Sequence, residues 1–148
     1  MLATLFDFPF EDRRKLTRWS DVATGDEESG VVEGEEARQA ELYECLEYFT
    51  RLWHEREENG ERNDLVSMLA NGEATKNMSA QEYLGNLILL IVGGNDTTRN
   101  SMTGGVWALN QNPGEYAKLR NNPGVIPNMV SEIIRWQTPL AHMRRIAN

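Results

Sequence analysis

Apolar residues recur along this chain at helical spacing almost throughout. Leu16, Trp19 and Ala23 share a face after the Phe8-Pro9-Phe10 turn, which predicts a helix over 11–24. A second, amphipathic helix is predicted over 37–58. There Leu42, Cys45, Leu46, Phe49, Leu52 and Trp53 fall at i, i+3, i+4, i+7, i+10 and i+11, and the other face is nearly all Glu and Arg. Asn59-Gly60 stops it. Residues 25–34, with three glycines and four acids, read as an exposed, mobile loop between the two. A short helix follows over 64–70. Ser79 with Glu82 three residues on forms a capping box that opens a long helix over 79–111. Leu84, Leu87, Ile88, Ile91 and Val92 line one face of it, and Leu89 and Leu90 fill the rest. A helix apolar all round belongs inside a larger protein. Its span of ~45 Å at about 1.5 Å per residue is long for a chain of this size. Asn112-Pro113 starts another helix. Pro127 opens the last one, over 127–137, with Met129, Val130, Ile133 and Ile134 inward. Pro139 closes it, and 140–148 reads as a possible short strand. The class is all-α, and residues 1–148 form one partial domain without a second.

Composition narrows the function. The 148 residues are 40% hydrophobic and 26% charged, ordinary for a globular protein. The net charge of −8 argues against a nucleic-acid partner. Between residues 25 and 61 stand 13 of the 23 acids, which read as a solvated face. Cys45 is the one cysteine, so an internal disulfide, a cysteine-rich zinc site and a cysteine-ligated iron–sulfur cluster are excluded. Its place on the apolar face of the 37–58 helix makes it a packing residue. The longest apolar run is six residues, 87–92, where a membrane span needs roughly 20. Residues 1–10 carry no basic stretch before their apolar one and include Asp7, unlike a signal peptide. The expectation is a cytoplasmic, reduced protein. His54 reads as a surface residue, and neither it nor His142 belongs to a metal-ligand cluster, so no metal site is expected from them.

Two places carry chemistry. Gly93-Gly94-Asn95-Asp96-Thr97-Thr98 interrupts the apolar helix at its middle. Two glycines cost roughly 2 kcal/mol of helix propensity against alanine. The expected return is a groove in a buried helix, lined by one acid and one alcohol and suited to delivering protons in a dry place. A plain helix–helix contact with a capped kink is the other explanation of the same residues. In the last helix Glu132 and Arg135 stand at i, i+3 among apolar neighbours, so a buried ion pair is expected.

Together, in this order and register, these segments resemble the cytochromes P450, the haem-thiolate monooxygenases. Gly93-Gly94-Asn95-Asp96-Thr97-Thr98 resembles their central-helix motif, and Glu132-x-x-Arg135 their Glu-x-x-Arg motif. Pro139 and Arg145-Ile146-Ala147 resemble the segment that follows. The resemblance covers essentially the whole chain. The variants Gly-Gly-Asn-Asp-Thr-Thr-Arg-Asn and Ile-Arg-Trp-Gln-Thr-Pro-Leu-Ala-His-Met-Arg-Arg look like the bacterial branch that hydroxylates alkanes and fatty acids at the terminal carbon.

The resemblance implies a role for each position. Gly93 and Gly94 would border the oxygen groove over the haem. Asp96 and Thr97 would hand protons to the oxygen being reduced. Glu132 and Arg135 would form a structural ion pair. Arg145, or failing it Arg144, would neutralise a haem propionate. Leu140, His142 and Met143 would line the substrate pocket. The helices within 11–58 would roof the substrate channel, with the acidic loop as a lid. Haem, dioxygen, a ferredoxin with its reductase, and NAD(P)H at one remove are the implied cofactors and partners. A medium-chain alkane or fatty acid is the implied substrate. The family's iron-ligand loop, Phe-x-x-Gly-x-Arg/His-x-Cys-x-Gly, is not among these 148 residues, and Cys45 has none of its surroundings. The expectation is therefore the middle third of such an enzyme, inactive alone. A small all-α interaction protein or a haem-free remnant is the alternative.

Overall fold

The computed structural model describes residues 1–25, 29–60 and 62–142. Among these residues it is all-helical, without a strand. The elements are α1 (Leu2–Leu5), α2 (Arg13–Thr24), α3 (Gly34–Asn59), α4 (Leu65–Asn71), α5 (Ala80–Gln111), α6 (Pro113–Asn121) and α7 (Ile126–Gln137). Short 3-10 turns precede α2 and α7. No described helix is long and apolar enough to cross a membrane.

The capping box is in place at the start of α5. The Ser79 N–H donates to Glu82 Oε2 (2.8 Å), and the Glu82 N–H donates back to Ser79 Oγ (3.3 Å). That bonding holds the Glu82 carboxyl below its usual range. α3 begins three residues earlier than expected, which brings Glu35 and Glu36 into its first turn, where the helix dipole favours acids. Of the expected loop only residues 25 and 29–34 are described. Of the expected strand at 140–148 only residues 140–142 are, and they form none.

The contacts divide the chain into two units, residues 1–95 and 96–148. Unit 1 holds the core. Phe8 stacks on Tyr48 (centroids 4.7 Å apart) and meets Trp19 edge-on, and Phe6 meets Phe49 edge-on at 5.1 Å. Cys45, Leu52 and Val66 complete one side of this cluster, and Tyr83, Leu87 and Ile91 of α5 the other. The last three stand at i, i+4 and i+8, one stripe of a helix. Across the α2–α3 pair, Lys15 bonds Glu44 and Arg18 bonds Glu41. Beneath the pair lies one buried cation. Arg56 is 2% exposed and reaches Asp7, Glu55 and Asp64.

Unit 2 is built differently. Gly104 and Gly105 of α5 are its only buried residues among those described. A Cβ on Gly105 would lie 2.6 Å from Ile133 Cδ1, and one on Gly104 would meet Gln137. The helices α5 and α7 therefore approach through glycine, and Trp107 stacks on Trp136 beside the crossing (5.8 Å, 18°). Met102, Val106, Ile134 and Leu140 remain exposed. An apolar surface of this extent fits the expectation that part of the molecule's packing is supplied from outside these residues.

Candidate functional site

The glycine pair in α5 does not interrupt the helix. α5 is continuous from Ala80 to Gln111. Nor is the motif buried. Gly93 is exposed, and Gly94 to Thr98 are half-buried. The two glycines differ sharply. A Cβ at Gly94 would stand 2.5 Å from Leu2 Cδ2, so Gly94 lets α1 approach α5. A Cβ at Gly93 would meet nothing within 4 Å. On this geometry Gly94 is a packing glycine and Gly93 the open one. A Gly94→Val substitution is expected to push α1 off α5 and cost about 1–3 kcal/mol by overpacking, read as a lower urea midpoint, whereas Gly93→Val leaves the midpoint within about 1 kcal/mol.

Gly85, Leu89 and Gly93 stand at i, i+4 and i+8 on the face of α5 opposite the Tyr83–Leu87–Ile91 stripe. All three are exposed, and neither glycine position has a neighbour within 4 Å. Leu89, 65% exposed, is thus the large apolar side chain on an otherwise open strip. The apolar count of the sequence absorbed Leu89 into the core; the flanking glycines four residues away on each side were the signal that set it apart.

In unit 2, Thr97, Thr98 and Ser101 edge an open apolar groove of about 680 Å³ that runs between α5 and α7. Val106, Ile133, Ile134, Pro139 and Leu140 are among its apolar walls. Ser101 Oγ donates to the Thr97 carbonyl (2.8 Å), a back-bond into the helix. Asp96 is not part of this lining. Its Oδ1 accepts from Arg99 Nη2 at 2.6 Å. The expected acid-and-alcohol groove is therefore an alcohol groove with the acid on its flank. One residue step on a helix turns the side chain by about 100°, which separates Asp96 from Thr97, while i+3 brings Arg99 to Asp96.

The second expected pair also needs correction. Glu132 and Arg135 bond through two contacts of 2.6 and 2.7 Å, but their side chains are 60% and 68% exposed rather than buried. α7 has no buried residue, and its apolar side meets α5 at the glycines. The pairing lowers the Glu132 carboxyl pKa and raises that of Arg135, through the hydrogen bond first. Leu140 lines the groove, and His142 is exposed and is not part of that lining. Met143, Arg144 and Arg145 lie outside the described residues. His54 is on the surface, as expected, beside Glu57.

The apolar groove with its hydroxyl edge suits one face of a flat, apolar macrocycle such as haem. No described residue offers the iron a ligand there. No group of three or more His, Cys, Asp or Glu is disposed to hold a metal among the described residues. Cys45 is fully buried in unit 1, and burial, with the Glu44 charge second, pushes its thiol up to about 12, so it stays protonated at neutral pH.

No family model matches the chain. Individual proteins do. Linalool 8-monooxygenase of Pseudomonas putida is 31% identical over 90% of the chain and 33% of its own length. A methyl-branched lipid omega-hydroxylase of Mycobacterium tuberculosis is 30% identical over 98% of the chain and 34% of its own. Among solved structures, cytochrome P450-153 from Novosphingobium aromaticivorans superposes with a TM-score of 0.78 at 48% identity, covering 99% of this chain and 35% of that one. The chain thus belongs to the cytochrome P450 family. It spans about a third of the length of the curated relatives it matches.

Proposed function

We propose that this chain is the oxygen-handling segment of a haem monooxygenase that hydroxylates medium-chain alkanes or fatty acids at the terminal carbon. The observation that carries the reading is Thr97 at the hydroxyl edge of an apolar groove, within a motif of the family's central helix. Haem, when bound, would supply the activation of dioxygen. Thr97 would hold a proton at its Oγ toward the groove, and Asp96 would replenish it from the flank. Gly93 would leave room on the open face of α5. Arg145 would hold a haem propionate, and Leu140, His142 and Met143 would close the pocket. Electrons would come from NAD(P)H through a ferredoxin and its reductase.

The substrate class is supported by the apolar walls of the groove and by the omega-hydroxylase among the relatives. The test is product analysis of the haem-loaded protein containing this chain, given an n-alkane and the fatty acid of equal length. Terminal alcohols as the main products are expected. Oxidation of a branched terpenoid alcohol with no terminal product from either linear chain would replace the substrate class. In the same assay Leu140→Phe should lower kcat/KM for the longest substrate accepted by about tenfold, the scale of a steric misfit in an apolar pocket.

A further inference from the structure

We propose that Asn59 is a site of spontaneous deamidation, a reaction with water that turns its amide into an acid, and that Asn71, in the same dipeptide, is protected by the fold. Asn-Gly is the dipeptide most open to this reaction, because glycine has no side chain to shield its nitrogen or restrict its turning. The chain holds it twice, at Asn59-Gly60 and Asn71-Gly72, followed by glutamate both times. The two copies are alike up to the glycine. Each asparagine is exposed and is the last residue of a helix, α3 or α4. Each donates from Nδ2 to the carbonyl four residues back, Asn59 to Glu55 (2.8 Å) and Asn71 to Ser67 (2.9 Å). The glycines differ. The Gly72 N–H donates to the Met68 carbonyl (3.0 Å), and the Gly72 carbonyl accepts from the N–H groups of Thr75 (3.0 Å) and Lys76 (2.9 Å). A Cβ at Gly72 would stand 2.6 Å from Thr75 Oγ1. No described group accepts from the Gly60 N–H, and a Cβ there would meet nothing within 4 Å. Gly60 also sits at φ 85°, a region open to glycine.

The reaction needs the peptide plane after the asparagine to swing out of its helical setting, so that the glycine nitrogen faces the side-chain amide. Hydroxide takes the proton from the glycine N–H. The nitrogen bonds to the asparagine Cγ, the Cγ–Nδ2 bond breaks, and Nδ2 leaves as ammonia after taking a proton from water. Water then opens the five-membered imide ring at either carbonyl, giving aspartate or isoaspartate. Asparagine and water become an acid and ammonia, with no change of oxidation state. At Gly60 no described hydrogen bond of the glycine resists the swing. At Gly72 the swing must break the bond to Met68 and disturb the turn closed by Thr75 and Lys76. The new carboxylate stands at the C-terminal end of α3, in a last turn that already holds Glu57 and Glu58, where the helix dipole disfavours it. Isoaspartate also adds a carbon to the backbone of the link between α3 and Asp64, the buried partner of Arg56. The reaction therefore loosens that link.

The test is peptide mapping by mass spectrometry of the 148-residue chain held at mildly alkaline pH, once folded and once in denaturing urea. In the folded chain Asn59 should convert about tenfold faster than Asn71, the factor that one hydrogen bond broken in the swing is worth. Isoaspartate should appear beside aspartate at Asn59. In urea the two rates should draw level, because the dipeptide and the residue after it are the same. Equal rates in the folded chain, or a lead for Asn71, overturn the proposal. A lead for Asn59 that persists in urea overturns it as well, since the sequence around it and not the fold then sets the rate. The chain converted at Asn59 should unfold at a lower urea concentration than the fresh one, and an unchanged midpoint refutes the loosening of the link to Asp64.

Discussion

Replacing Arg56 by alanine should lower the unfolding free energy of this chain by about 3–5 kcal/mol, the largest effect on stability expected from a single polar residue here. Arg56 is 2% exposed, and its guanidinium is tied at both ends. Nη2 donates to the Asp7 carbonyl (3.1 Å) and to Asp7 Oδ2 (3.2 Å), and Nη1 donates to Glu55 (2.8 Å). Nε stands 3.4 Å from Asp64 Oδ2 without making a hydrogen bond. The Asp64 side chain is as buried as that of Arg56, and it also caps α4 by accepting from the Ser67 N–H and Oγ–H. Asp7 sits in the left-handed region at φ 45°, a conformation a non-glycine residue holds at a cost of about 1–2 kcal/mol. Removing Arg56 leaves Asp64 buried without its cation and takes from Asp7 one of its two cations, the other being Arg62 at 3.1 Å. Arg56→Lys should recover only part of the loss, since one ammonium cannot serve three carboxylates in the fork geometry. Urea unfolding followed by tryptophan fluorescence reads both variants. A cost under about 1 kcal/mol for Arg56→Ala would mean that water, and not the cation, satisfies Asp64.

In a haem-loaded protein containing this chain, Thr97→Ala should cut the ratio of product formed to dioxygen consumed by about ten- to a hundredfold, the lower range for loss of a positioned proton donor. Dioxygen consumption itself should persist, because Thr97 supplies a proton and neither the electrons nor the binding surface. Thr97→Ser keeps the hydroxyl and should retain most of the ratio. The Thr98 hydroxyl also edges the groove. If Thr97→Ala leaves the ratio intact and Thr98→Ala lowers it, the donor has been assigned to the wrong neighbour.

How much of this was legible in the sequence depended on whether the answer was local. α5 with its capping box, α6 with Pro113 at its start and α7 after the 3-10 turn follow from spacing and end signals within a few residues. Cys45 as a core residue followed from its place on one face of α3. What the sequence hid was contact at long range. Arg56 looks like one more charge on the polar face of α3. Its burial depends on Asp7, 49 residues away, and on the bend that follows α3 to bring in Asp64. Gly94 looks like the twin of Gly93, and only Leu2 tells them apart. The burial expected for Glu132 and Arg135 was inferred from apolar neighbours in sequence, yet those neighbours are themselves exposed on α7. The direction of Asp96 has a local cause. Adjacent residues on a helix point about 100° apart, and Arg99 stands at i+3 from Asp96 and bonds it.

On the proposed function, this chain carries the oxygen-side wall of a haem-thiolate site, and Cys45 is not the ligand of its iron. The most direct measurement is the reduced, CO-bound absorption spectrum of the 148-residue chain reconstituted with haem, taken for the wild type and for Cys45→Ser. Neither protein should show a thiolate-type Soret band, and the spectra should superimpose, since the thiol is enclosed in the aromatic core and stays protonated. A thiolate-type band in the wild type that disappears in Cys45→Ser would instead make Cys45 the iron's ligand.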